Sequence, residues 1–193
     1  PIRGTVMADW RLFIAVELPD EVRRTLAGVV CDLSRAAADV KWSRPENLHL
    51  TLKFLGDTAE EEVPNLSRQL DVAAGAGRPC TATLGGLGAF PDLRRPRVLW
   101  VGLEEPSGEL AALQKRVEEA TRYLVEPDPR GFESHLTLGR MRSPRGQREL
   151  SERMQGYRLT AKAAVPVREI VLLRSVLDRS GPTYTPLHRS RLG

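Results

Sequence analysis

The chain has 193 residues, 41% of them hydrophobic and 28% charged, with a formal net charge of +4 and a pI near 9.4. That length can bury the core of one ordinary domain or of two small lobes, and the composition excludes a disordered polyelectrolyte. No window approaches the roughly 18 consecutive apolar residues of a membrane helix, and the N-terminus lacks an export signal, so a cytoplasmic protein is expected.

Residues 1–6 read as a non-native or disordered extension, with Met7 as the native start and one two-lobed domain over 7–193. Arg11–Leu18 is rich in strand formers and is punctuated by Pro19-Asp20. Glu21–Ala38 then predicts a helix, with Asp20 as N-cap and Val22, Leu26, Val29 and Leu33 at helical spacing. Trp42–Asn47 reads as a loop and Leu48–Leu55 as a strand closed by Gly56-Asp57. A helix over Ala59–Ala73 and a strand around Thr81–Leu84 complete the first half. The second half starts over, with a strand at Arg97–Leu103, a helix over Pro106–Leu124, a loop at Val125–Ser134 and a strand from His135. A short helix near Gln147–Met154 leads to strands around Tyr157–Ala163, Arg168–Ser175 and Tyr184–Leu187.

The two halves keep one spacing. From Arg11 to His49 is 38 residues and from Arg97 to His135 is again 38, so the unit recurs after 86 positions, and His-Leu-Thr-Leu returns unchanged. This predicts a duplicated β-α-β unit, about 11–56 and 97–140, packed as an α+β pair of lobes. Two antiparallel sheets would then face a central cleft about a pseudo-twofold axis.

Cys31 and Cys80 are the only cysteines and read as buried free thiols. Only Lys41, Lys53, Lys115 and Lys162 are lysines; the remaining cations are arginines, whose fork suits phosphate. A GC-rich coding sequence would produce the same bias. The mild positive balance permits a nucleic-acid partner.

Side chains alternate along a strand, so His49 and Thr51 share one face and Leu50 and Leu52 the other, and likewise for His135 and Thr137. Two such strands across a cleft would converge two imidazoles and two hydroxyls. Opening a cyclic phosphate needs a base for the attacking water and an acid for the departing oxygen, and imidazole can serve as either near neutrality. The threonine hydroxyls can donate to the non-bridging oxygens, and one neutral and one protonated ring predict a bell-shaped pH profile. A metal site would need a third ligand, usually a carboxylate, and both motifs carry threonine at that phase, so no metal is expected. His188, outside the repeat, reads as a surface residue.

With these motifs the chain resembles the two-histidine phosphoesterases, and among them the bacterial and archaeal RNA 2′,3′-cyclic phosphodiesterases first described as 2′-5′ RNA ligases. The likeness runs from Arg11–Pro19 through Trp42–Gly56, Pro96–Gly102 and His135–Arg140 to Gly181–Leu187. The resemblance implies hydrolysis of an RNA 2′,3′-cyclic phosphate to a 2′-phosphomonoester, reversible as ligation, by a cofactor-free monomer that acts on RNA ends. It implies His49 as proton donor to the leaving oxygen and His135 as the base; the symmetry of the motifs alone leaves that assignment open. Arg140 is a candidate for the phosphate or a base, and Phe54 and Phe13 are candidates for stacking on a nucleobase, with core packing as the alternative. Arg94, Arg95 and Arg97 could steer an RNA backbone. A cyclic phosphodiesterase for a small nucleotide such as ADP-ribose 1″,2″-cyclic phosphate and a non-catalytic RNA-binding module are the rival readings.

Overall fold

A computed structural model describes residues 9–159, 162–179 and 181–193; the extension expected at 1–6 lies outside the described residues. In chain order the elements are β1 (Asp9–Glu17), α1 (Asp20–Leu33), β2 (Val40–Trp42), β3 (His49–Ala59), α2 (Val63–Gly75), β4 (Cys80–Phe90) and β5 (Val98–Glu104). There follow α3 (Glu109–Thr121), β6 (His135–Met141), α4 (Gln147–Gly156), β7 (Ala164–Val167), β8 (Glu169–Asp178) and β9 (Gly181–Arg191).

All strand pairs are antiparallel, in the order β7-β4-β5-β6-β3-β1-β8-β9, and β2 pairs with β6. The sheets of the two lobes meet at one residue pair, Leu50 with Leu136, which joins them into a single curled sheet. The units also exchange strands. β4, which follows the first unit, pairs with β5 of the second, and β8, which follows the second, pairs with β1 of the first. This reciprocal swap preserves the twofold likeness of the halves.

The apolar stripe of α1 is the one its spacing predicts: Val22, Leu26, Val29 and Leu33 are buried. Leu66 and Leu70 of α2, and Leu110, Leu113 and Val117 of α3, join them in one core with Leu50, Leu52, Leu136 and Leu138 of the sheet. Each such side chain contributes about 1.5–3 kcal/mol by leaving water. A smaller cluster of Phe13, Ala15, Val171 and Leu173, capped by Tyr184, packs separately from this core.

Several expectations need correction. α1 ends at Leu33, short of Ala38, because the chain turns at a buried Ala36 to deliver β2 to the edge of β6. Asp20 is the first helical residue, and the cap position is Pro19. Trp42 belongs to β2 and not to a loop. α3 starts at Glu109, not Pro106, since Gly108 before it has φ +80°; the Glu105 carboxylate accepts from the Leu110 and Ser107 amides and closes the helix start. No strand covers the described part of Tyr157–Ala163; the Tyr157 hydroxyl donates to Asp32 at 3.0 Å and holds the segment beside α1, and pairing begins at Ala164. The cysteines are free, but Cys31 is exposed and Cys80 half-buried. His188 is half-buried on β9, with Nε2 2.7 Å from Asp71. Among the described residues no helix is long and apolar enough to cross a membrane.

Candidate active site

The two His-Leu-Thr-Leu segments open β3 and β6. Leu50 and Leu136 are fully buried and paired, which turns His49, Thr51, His135 and Thr137 to the opposite face. Counting out from that pair sets Thr137 on the side of His49 and Thr51 on the side of His135, so the two histidines flank it diagonally on the same face. Because the pairing stops after one residue, the strands part on either side, and β2 occupies the edge of β6 beyond.

Both strands break their alternation at the same place. In β3, Thr51 pairs with Ala15 and Lys53 with Ile14, leaving Leu52 as an extra residue. In β6, Thr137 pairs with Trp100 and Gly139 with Leu99, leaving Leu138 extra. A bulge of this kind re-aims the side chains that follow it. Phe54 and Arg140, each five residues after its histidine, are thereby carried onto the histidine face and out to solvent. Plain alternation would have put Lys53 there instead. Lys53 points the other way, buried in an ion pair with Glu118 of α3, and also donates to the Val125 carbonyl at 2.8 Å.

Each imidazole is held in the same way. His49 Nδ1 lies 2.7 Å from the Asn47 carbonyl and His135 Nδ1 lies 2.7 Å from the Glu133 carbonyl. A carbonyl only accepts, so Nδ1 carries the hydrogen in both rings and Nε2 is left as the nitrogen for proton transfer. The rings rest on aromatic walls: Phe13 and Tyr184 at 4.9 and 5.2 Å from His49, Phe90 and Trp100 at 4.9 and 6.1 Å from His135. Burial lowers the pKa of His49 below its ordinary value; the Asn47 hydrogen bond opposes this, and the positive charge of Arg23 adds to it.

A cavity of about 390 Å³ opens beside this face, lined by His49, Thr51, Thr137 and Arg140 together with Phe13 and Phe54. His135 does not line it; its place on the side of Thr51 comes from the strand register. Phe54 is 61% exposed at the cavity, whereas Phe13 is 3% exposed and lies beneath the His49 ring. Arg94, Arg95 and Arg97 are exposed and stand outside the lining. Sequence reading missed Tyr184, Arg11, Lys41 and Asn47 in the wall. Asn47 works twice: its carbonyl orients His49, and its amide donates to the Pro182 carbonyl at 2.8 Å, tying the β8–β9 hairpin to the site. The doubled spacing pointed to the histidines, but no sequence signal joined β9 to β3. Among the described residues no three His, Cys, Asp or Glu side chains gather into a group able to hold a metal ion.

The model of the LigT-like phosphoesterases matches residues 16–100 and again residues 101–184. The chain belongs to that family. The double match to this LigT-like family falls on the duplicated units. An RNA 2′,3′-cyclic phosphodiesterase of Archaeoglobus fulgidus is 34% identical over 92% of this chain and 97% of its own length. One of Thermus thermophilus is 35% identical over 94% of this chain and 90% of its own. Among solved LigT-like structures, a Thermus thermophilus protein superposes with a TM-score of 0.78 at 31% identity, covering 94% of this chain and 97% of its own. E. coli LigT complexed with NADP+ gives 0.72 at 28% identity over 96% and 98%.

Proposed function

We propose that this chain is an RNA 2′,3′-cyclic phosphodiesterase that opens the cyclic phosphate to a 2′-phosphomonoester by acid–base catalysis between His49 and His135. The observation that carries the reading is the matched tether of the two imidazoles, each fixed through Nδ1 with Nε2 left for a proton. The names of the curated relatives agree with it.

In this reading His135 Nε2 takes a proton from water, and the water oxygen attacks phosphorus in line. The bond from phosphorus to the 3′-oxygen breaks, and His49 Nε2 gives that oxygen its proton. Thr51 and Thr137 donate to the non-bridging oxygens, Arg140 meets their negative charge, and Phe54 takes the base. Phe13 supports the His49 ring. The lowered pKa of His49 makes its protonated form a stronger acid once a phosphate has drawn a proton onto it. A 5′-hydroxyl attacking in place of water gives the 2′-5′ ligation product with the same acid and base, and the two roles exchange when that linkage is cleaved back to the cyclic phosphate. The enzyme works without metal or cofactor, as a cytoplasmic monomer built of one two-lobed domain.

The test is incubation with an RNA ended by a 2′,3′-cyclic phosphate. A 2′-phosphate product that still forms in EDTA is expected. A 3′-phosphate product would overturn the assignment of leaving group, and activity lost to EDTA and restored by zinc or magnesium would overturn the metal-free mechanism.

A further inference from the structure

The cleft carries more positive charge than its reaction requires. Lys41 of β2 and Arg140 of β6 are direct cross-strand partners, and Arg11 lines the same cavity from β1 in the other lobe. Like charges set directly opposite each other weaken a sheet. Among the described residues, none of the ion pairs includes Arg11, Lys41 or Arg140, and no carboxylate lines the cavity. Both arginines also act on the Tyr184 hydroxyl electrostatically, which places their charges around one wall.

A cyclic phosphodiester bears a single negative charge, and one arginine fork can meet it. Arg140 reaches the catalytic face three residues after Thr137, which suits it to the reacting phosphate. Lys41 then remains without an anion, and Arg11, whose cross-strand partner on β3 is Asp57, makes no ion pair with it and fronts the same space. We propose that Lys41, with Arg11, forms a second anion subsite that takes the 5′-phosphoryl group of the nucleotide whose cyclic phosphate is opened. In an RNA chain this group is the phosphodiester to the preceding residue. The inference rests on the phosphodiesterase reading for its substrate, and it makes that enzyme selective for RNA ends over free nucleosides bearing a cyclic phosphate.

The test compares adenosine 2′,3′-cyclic phosphate with the same compound carrying a 5′-phosphate. The 5′-phosphate should raise kcat/KM at least tenfold, mainly through KM, and the gain should shrink as salt rises. Lys41→Gln should remove most of the gain and Lys41→Arg should keep it. Lys41 is an exposed strand residue, so the neutral variant folds. Equal rates on the two compounds in the wild type, or one common loss on both in Lys41→Gln, would overturn the subsite. Calorimetry with adenosine 2′,5′-bisphosphate against adenosine 2′-monophosphate reads the same gain without turnover. A protein that binds the bisphosphate tenfold more tightly yet opens no cyclic phosphate would keep the subsite and sink the phosphodiesterase reading.

Discussion

The two lobes offer a controlled comparison within one chain. Each presents a histidine tethered through Nδ1 to a carbonyl two residues earlier, a threonine two positions on, and a bulge that exposes the second residue after it. Even the sequence of buried and exposed positions along the first six residues of β3 and β6 is the same. The exposed residue is what differs: an apolar ring, Phe54, in the first lobe and a cation, Arg140, in the second. In the proposed reaction, duplication would supply the proton-transfer parts twice, because both sides of an in-line displacement at phosphorus need one. On the same proposal, divergence at the bulge would answer a substrate with a base on one side and a charge on the other.

The largest expected effect tests the shared part. His49→Ala and His135→Ala should each lower kcat/KM on a cyclic-phosphate-ended RNA by about 10³–10⁴-fold, at the upper end of what a single proton transfer supplies. Combining them should cost little more than the worse single change, since the two rings act as a unit. Circular dichroism should show both variants folded. Full activity in either one would end the comparison.

Next comes the inward side of the bulge, where the first lobe has Lys53 and the second Gly139. Lys53→Ala leaves Glu118 without its cation in a site where the lysine side chain is only 4% exposed. Breaking such a pair costs about 3–5 kcal/mol, which urea unfolding should read directly. A loss under about 1 kcal/mol would mean that the contact between β3 and α3 behaves like a surface ion pair.

The divergent pair should separate by kinetic signature. Arg140→Ala should lower kcat/KM about 100-fold, in line with the roughly 1.5–3 kcal/mol of a hydrogen bond to a charged group. Phe54→Ala should cost about tenfold, carried by KM, because base stacking is worth about 1–3 kcal/mol and holds the ground state as well. Equal kcat losses in both would erase the proposed division between base and phosphate.

Much of this site was legible in the sequence because duplication printed it twice. The spacing of 38 residues in each half identified His49, Thr51, His135 and Thr137 as one set, and the alternation of Leu50 and Leu136 turned them to one face. The strand exchange of β4 and β8 was not legible, since pairing between distant strands leaves no local periodicity. Nor were the bulges: period-two reading puts Lys53 on the histidine face, and only the extra residue at Leu52 reverses it. For the same reason Tyr184, which reaches His49 from the far end of the chain, could be quoted from the sequence but not placed.

The smallest effect concerns the electrostatic difference between the halves. Arg23 on α1 bears on His49, and its charge is the lesser of two causes lowering that pKa, behind burial. The His49 ring resonance should therefore titrate below the 6.5 of an ordinary imidazole in NMR of the free protein. The sign for stability follows from proton counting. Below pH 6.5 the unfolded chain binds the proton first, so this ring's contribution is present in full above 6.5 and is lost as pH falls toward the folded pKa. Other charges near His49 remain in place in an Arg23→Gln variant: Glu17 held by Arg189, Glu46, Arg44, and the cleft cations Arg11, Lys41 and Arg140. The variant should therefore shift the midpoint upward, part of the way to 6.5, and move the limb of the pH–rate profile that belongs to His49 in the same direction. If both limbs move together, the charge on α1 acts on the whole cleft, and the two histidines are not separately tuned.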